Sequence, residues 1–181
     1  MKRSHSRPRT IIVAVVAGVL AGAVGVAWFQ PQKLLINQRV DEALPVAATP
    51  TSGALDMSLS RSGTRPSGPE PTILSTSLFR SLGHATSGRA VALELADGRR
   101  FVRLVDLRTS NGPDLFVYLS RAAVDAPRNT FDDDYVSLGR LRANQGNQNY
   151  AIPLGVALDR YQSVVIWCRR FTYAFGAAAL G

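Results

Sequence analysis

The sequence has few of the residues that bind metals or attach cofactors. Its 181 residues include one cysteine, Cys168, and two histidines, of which only His84 lies outside the first ten residues. Zinc sites usually need three or four such ligands, and covalently attached haem needs a Cys-x-x-Cys-His motif. The composition therefore supports neither a zinc site nor a covalently attached haem.

The folded part of the chain also lacks a cluster of basic residues. Lysine and arginine together number 21 against 13 acidic residues, for a formal charge of +8, but no lysine follows Lys33. The arginines are scattered along strand-like segments, whereas a nucleic-acid interface usually shows a basic stripe with interleaved aromatic residues. We therefore expect solvated arginines on a β-surface and no nucleic-acid partner.

Charge is absent from one long run near the N-terminus. Residues 11–29 hold 19 consecutive uncharged residues, and a helix of that length spans about 28 Å, close to the thickness of the membrane interior. Four basic residues precede this run, which by the positive-inside rule keeps the N-terminus cytoplasmic. The sequence predicts a basic cytoplasmic tail over 1–10, a transmembrane signal-anchor helix over 11–29 in the plasma membrane, and an extracytoplasmic remainder.

Two alternatives concern this apolar run. Gly25 and Ala27 are small residues that could precede a signal-peptidase cut, so that residues 1–27 would be removed and the rest secreted; however, the apolar core of a signal peptide usually has only about 7 to 15 residues. Gly18 and Gly22 have the spacing that lets two membrane helices pack closely. Because glycine and alanine are abundant here, this spacing arises easily by chance, and dimerisation stays a secondary hypothesis.

Residues 30–75 are predicted to be a juxtamembrane segment and a flexible linker. The first part, up to Pro45, has enough apolar residues for a short element that rests on the membrane or on the domain. From Val46 to Thr72 the chain is rich in Pro, Gly, Ser, Thr and Ala, a composition that buries too little apolar surface to fold. The folded domain is expected over 76–181.

Short alternating segments in 76–181 predict an all-β fold, an antiparallel sandwich or barrel of about seven to eight strands. Residues 90–95 and 100–107 are joined by a turn containing Asp97 and Gly98, which is typical of a β-hairpin. Residues 144–147, Asn-Gln-Gly-Asn, predict a further turn. In DLFVYLS, alternate residues from Leu115 are expected to share one face of a strand.

Three phrases occur in order: SGRAVALELADGRRFVRLVDLRTSNGPDLFVYLS, LGRLRANQGNQNYAIP and VVIWCRRFTYAFGAAAL. Together they resemble the DM-thirteen domain family over about residues 77 to 180. The resemblance implies an extracytoplasmic β-domain with a proposed role in electron transfer. It also implies a redox role for Cys168, either as a bare thiol or as a ligand to a prosthetic group such as haem. The chain has no multi-helix cytochrome module that would supply or accept the electron.

Cys168 has two interpretations. Strand alternation places it on one face with Val164 and Ile166, inside the core, where a cysteine behaves as a small inert apolar residue. Against this, Arg169 and Arg170 follow directly and could activate the thiol if they turned toward it. An unpaired cysteine outside the cytoplasm is also unusual.

Two further residues are candidates for cofactor binding. His84 and Cys168 are chemically reasonable axial ligands for haem iron, and Trp167 lies directly beside the cysteine; a solvent-exposed loop is the simpler interpretation of His84. We therefore expect a membrane-anchored redox domain that acts through Cys168 on a redox partner protein. The alternative is a non-catalytic cell-surface binding module with a structural, buried cysteine.

Overall fold

The computed structural model describes residues 37–47 and 69–181. The predicted cytoplasmic tail, the predicted membrane helix, the Gly18 and Gly22 pair and much of the predicted linker lie outside these residues. Among the residues described, no helix is both long and apolar enough to cross a membrane.

Ten strands make up two sheets. In chain order they are β1 (Arg39–Asp41), β2 (Thr72–Leu78), β3 (Arg80–Ser81), β4 (Thr86–Glu94), β5 (Arg100–Thr109), β6 (Leu115–Ser120), β7 (Tyr135–Arg140), β8 (Gln145–Ile152), β9 (Ser163–Cys168) and β10 (Tyr173–Ala179). The first sheet has the order β1-β8-β5-β4-β2 and the second β3-β10-β9-β6-β7. One short 3-10 turn, Leu158–Arg160, precedes β9.

The all-β prediction is confirmed, and its details need correction. The part of the chain described has ten strands instead of seven or eight, and β1 pairs with β8 in parallel, so the first sheet is mixed. The extra strands β1 and β3 have three and two residues, too few to show an alternation in the sequence. In addition, β1 lies in the juxtamembrane part of residues 30–75, where a short element resting on the domain is one of the two expectations, and residue 76, where the folded domain is expected to begin, lies inside β2.

The predicted hairpin turn forms, and the turn predicted over 144–147 does not. The hairpin between β4 and β5 is closed by hydrogen bonds from the Leu95 amide to Arg99 and from the Gly98 amide to Leu95. The turn expected over 144–147 does not form, because Gln145, Gly146 and Asn147 begin β8 and pair with β1. The polar residues of this stretch bind the β1 segment instead: the Asn147 side chain donates to Asp41 at 2.8 Å.

The main core lies between the two sheets. Alternate residues of β6 and β9 point into it, as the sequence predicts for Leu115, Val117 and Leu119. They meet apolar residues of the first sheet, and the core includes Val102, Leu104, Tyr150, Val164, Ile166, Cys168 and Phe175.

A second apolar cluster covers the outer face of the second sheet. Its fully buried members are Tyr118, Phe131, Val165, Trp167, Ala174 and Ala177. Phe131 comes from the connection between β6 and β7, residues 121–134, which folds back over the sheet. The central strands β6, β9 and β10 are therefore largely buried on both faces, and both faces of β9 are inaccessible.

Candidate functional site

Cys168 is the last residue of β9 and lies in the main core. Its side chain has no exposed surface, and it stands opposite Leu115 of β6 and Tyr173 of β10 in the strand register. Strand alternation therefore predicts its side correctly, together with Val164 and Ile166. A sulfur atom in this position cannot touch a reagent or a second thiol while the domain is folded, which rules out disulfide exchange in the native state.

Arg169 points away from the sulfur. Its Nε donates to the Tyr118 hydroxyl at 2.7 Å, and its guanidinium lies 3.7 Å from the centre of the Phe116 ring. Both rings belong to the outer cluster or pack against it. Burial raises the pKa of Tyr118, and the hydrogen bond to Tyr118 raises the pKa of Arg169. This arginine is thus occupied by the outer cluster and does not activate the thiol.

Trp167 lies on the outer face of β9, opposite to the face that carries Cys168. It is 1% exposed, stands opposite Phe116 and Ala174, and stacks on Tyr118 at 6.1 Å between ring centres. The two adjacent residues that the sequence offered as cofactor contacts therefore face different apolar clusters.

His84 lies in the connection between β3 and β4 and is half-buried. Its Nε2 is 2.7 Å from the hydroxyl of Tyr173, and its ring packs against Phe175 with 3.9 Å between centres. It is therefore not a free loop histidine. Tyr173 is also the register partner of Cys168, so one tyrosine is bonded to the predicted histidine and paired across strands with the predicted cysteine.

The backbone around His84 explains how it is positioned. The amides of Leu82 and His84 donate to the Phe175 carbonyl, and the amide of Gly83 donates to the Ala174 carbonyl. A Cβ atom at Gly83 would lie 2.5 Å from Cε2 of Tyr173, so only glycine lets the tyrosine ring pack this closely on the chain.

The residues found here do not fit axial ligation of one haem by His84 and Cys168. The cysteine is sealed in the apolar core, and the histidine Nε2 already has a hydrogen-bond partner. In the part of the chain described, no group of three or more His, Cys, Asp or Glu residues is arranged to hold a metal ion.

Two clefts open elsewhere on the domain. One, of about 550 Å³, lies at the far end of β10 and is lined mainly by apolar residues, including Leu74, Val124, Leu158, Tyr161 and Leu180. The other, of about 430 Å³, is lined by polar residues that include Ser81, Thr86 and Arg108. Neither is lined by Cys168 or His84.

Sequence reasoning missed Tyr173, the residue that links His84 to the strand of Cys168. The stretch Cys-Arg-Arg-Phe-Thr-Tyr contained a usable signal. If Arg169 to Thr172 form the turn of a hairpin, then Cys168 and Tyr173 stand opposite each other on one face. In the structure β10 begins at Tyr173.

Comparison with protein families gives one match. A family model described as "Electron transfer DM13" matches residues 78–180, more than half of the chain and nearly all of the two sheets. Comparison with curated proteins and with solved structures gives no match. The matched range includes His84, Cys168 and Tyr173. On this evidence, the chain belongs to the DM13 electron-transfer family.

Proposed function

We propose that the protein is a membrane-anchored, extracytoplasmic electron-transfer domain whose redox-active group is Cys168. The observation that carries this proposal is the position of the cysteine. It is fully buried, yet its register partner Tyr173 is only half-buried and is bonded to His84. Electron transfer, unlike disulfide exchange, does not require the sulfur to touch its partner.

The redox step proposed for Cys168 is a one-electron exchange. An oxidised partner protein gains one electron from the domain, and a reduced partner protein returns it. The thiol is also protected in the core from the stepwise oxidation to sulfenic and sulfinic acids that exposed thiolates undergo.

The membrane part of the proposal is supported by the sequence. The uncharged run over 11–29 and the basic residues before it are typical of a single-pass anchor with a cytoplasmic N-terminus. Anchoring would hold the domain near redox partners in the same membrane. Pairing of two anchors through Gly18 and Gly22 would hold two domains together.

The test is a count of the electrons that the full chain exchanges in detergent micelles. Titration with soluble one-electron mediators should show one equivalent per chain in the wild type and none in Cys168→Ala. Val165→Ala is the matched control, because Val165 is a buried residue on the opposite face of the same strand. It should retain the equivalent. A full equivalent in Cys168→Ala would refute the role of the cysteine.

A second candidate function is a non-catalytic binding module with a structural cysteine. The complete burial of Cys168 and the apolar cleft of about 550 Å³ favour it. Under this proposal neither the wild type nor Cys168→Ala exchanges electrons with mediators. Cys168→Ala then only lowers the free energy of unfolding, by about 1 to 2 kcal/mol.

A further inference from the structure

Tyr173 and His84 form a hydrogen-bonded pair at the margin of the second sheet. The Tyr173 hydroxyl lies 2.7 Å from His84 Nε2, and both residues are half-buried. When the imidazole carries its hydrogen on Nδ1, Nε2 accepts the phenolic proton. A phenol in this contact has a base already in place to receive its proton.

The pair is rigidly held. Backbone hydrogen bonds join residues 82–84 to Ala174 and Phe175, and the His84 ring lies on the Phe175 ring. Proton transfer depends on the donor and acceptor being kept in hydrogen-bond reach. Here packing supplies that geometry without movement of either strand.

The charge next to the tyrosine favours coupled loss of an electron and a proton. The guanidinium of Arg128 lies 5.3 Å from the centre of the Tyr173 ring. A cation over the ring is attracted to the neutral aromatic group and repels a positive charge on it. Tyr173 therefore avoids becoming a cation radical and loses its proton as it loses the electron.

Tyr173 is also placed to communicate with Cys168. The two residues are direct partners across β9 and β10, so their Cβ atoms lie on one face at about 4.5 to 5.5 Å. Other tyrosines lack this arrangement. The buried Tyr150, for example, donates a hydrogen bond to the side-chain carbonyl of Gln148, and an amide carbonyl is a far weaker base than the His84 imidazole.

We propose that Tyr173 is a redox-active tyrosine and that His84 is its proton acceptor. Tyr173 gives one electron to a one-electron oxidant and its phenolic proton to His84 Nε2, leaving a neutral tyrosyl radical and an imidazolium. When a one-electron donor reduces the radical, the proton returns from His84 to the phenolate oxygen. This inference rests on the proposed electron-transfer function, and it makes Tyr173 the relay between buried Cys168 and the surface.

The first experiment asks which tyrosine forms the radical. The full chain in detergent micelles is oxidised by photogenerated tris(bipyridine)ruthenium(III), frozen and examined by electron paramagnetic resonance. Tyr173→Phe keeps the ring and removes the hydroxyl, and it should lose most of the tyrosyl signal. Tyr161→Phe, another half-buried tyrosine packed on the main core, is the control and should keep the signal. An unchanged signal in Tyr173→Phe overturns the proposal.

The second experiment tests His84 as the proton acceptor. His84→Phe keeps an aromatic ring against Phe175 and removes the base, and it should slow radical formation at least about tenfold. Added imidazole should restore part of the rate, and the ratio of the rates in light and heavy water should differ between the wild type and the variant. Circular dichroism verifies the fold, with His84→Gln used if His84→Phe does not fold. A wild-type rate in a folded variant overturns the role of His84.

Different outcomes refute the cysteine proposal and the tyrosine proposal. If Tyr173→Phe loses the radical while Cys168→Ala still exchanges one equivalent with mediators, Tyr173 is redox-active without Cys168, and both the cysteine proposal and the relay from Cys168 fail. If Cys168→Ala abolishes exchange while Tyr173→Phe behaves as the wild type in both experiments, the cysteine proposal stands and the relay fails.

Discussion

Cys168 shows how one residue type changes its chemistry with its surroundings. The adjacent arginines suggest an activated thiol, yet the side chain is sealed in the core and Arg169 binds Tyr118 on the other face. Direct thiol chemistry is therefore closed in the native state. Electron exchange through neighbouring residues needs no contact with the sulfur, and the mediator titration tests it.

Tyr150 provides a pH-dependent prediction at the residue scale. Its hydroxyl donates to Gln148 at 2.8 Å and accepts from the Arg142 amide at 3.1 Å. Burial, the dominant effect, raises the pKa of Tyr150 from 10.0 to about 12. Between these values the unfolded chain loses the phenolic proton first, so stability is complete below pH 10 and falls as pH rises toward 12. By about pH 12 this effect should lower the free energy of unfolding by roughly 2 to 3 kcal/mol.

Urea unfolding at several pH values from 9 to 11.5 measures this effect. Tyr150→Phe should remove the part of the fall in stability above pH 10 that comes from Tyr150. The variant is nevertheless less stable at pH 9, because it lacks two hydrogen bonds. Tyr161→Phe should keep the wild-type pH dependence. If the free energy of unfolding falls equally with pH in the wild type and in Tyr150→Phe, Tyr150 has the same pKa in the folded and unfolded states.

At the scale of elements, the docking of β1 depends on one glycine. Gly146 has φ +100, and a Cβ there would lie 2.1 Å from the Val40 carbonyl oxygen. Gly146→Ala should push β1 off β8, whereas Gly98→Ala, also at positive φ but with nothing within 4 Å, should cost only about 1 kcal/mol. We expect Gly146→Ala to cost at least about 1 kcal/mol more.

Hydrogen exchange locates the damage. The Glu42 amide donates to Asn147 at 2.8 Å, and it should lose its protection in Gly146→Ala and keep it in Gly98→Ala. Equal costs for the two variants, with Glu42 still protected in both, would mean that β1 docks without this close approach.

The connection over 121–134 is a structural cover for the second sheet. Phe131 is fully buried in the outer cluster with Trp167 and Tyr118. Phe131→Ala should lower the free energy of unfolding by about 3 to 5 kcal/mol, because it removes a large ring and leaves a cavity. Phe171→Ala, at a site that is 55% exposed, should cost less than about 1 kcal/mol. If denaturant unfolding gives similar losses of stability for the two variants, the connection over 121–134 does not stabilise the second sheet through Phe131.

At the scale of the whole molecule, the predicted anchor implies a membrane topology that can be tested. The full chain should resist extraction from membranes by alkaline carbonate, and deletion of residues 1–29 should release it, because the uncharged run is the segment able to cross a bilayer. A reporter enzyme active only outside the cytoplasm should work when fused to the C-terminus. A mature N-terminus at residue 28 would instead identify a cleaved signal peptide.

Much of the fold could be predicted because strand alternation is a local property. The hairpin around Asp97 and Gly98 and the inward face of Leu115, Val117 and Leu119 follow from neighbouring residues alone. A short element before Pro45 is expected, but its pairing as strand β1 could not be predicted, since three residues show no periodicity and the partner strand is more than 100 residues away along the chain.

The sequence by itself determined the β-class of the domain, the inward side of Cys168 and the family to which the chain belongs. Only the tertiary structure decided that the sulfur is sealed, that Trp167 and Arg169 serve the outer cluster, and that His84 bonds to Tyr173, 89 residues further along the chain. The physical reason is distance: a side chain's face follows from its immediate neighbours, whereas its burial and its bonding partners depend on segments that only folding brings together.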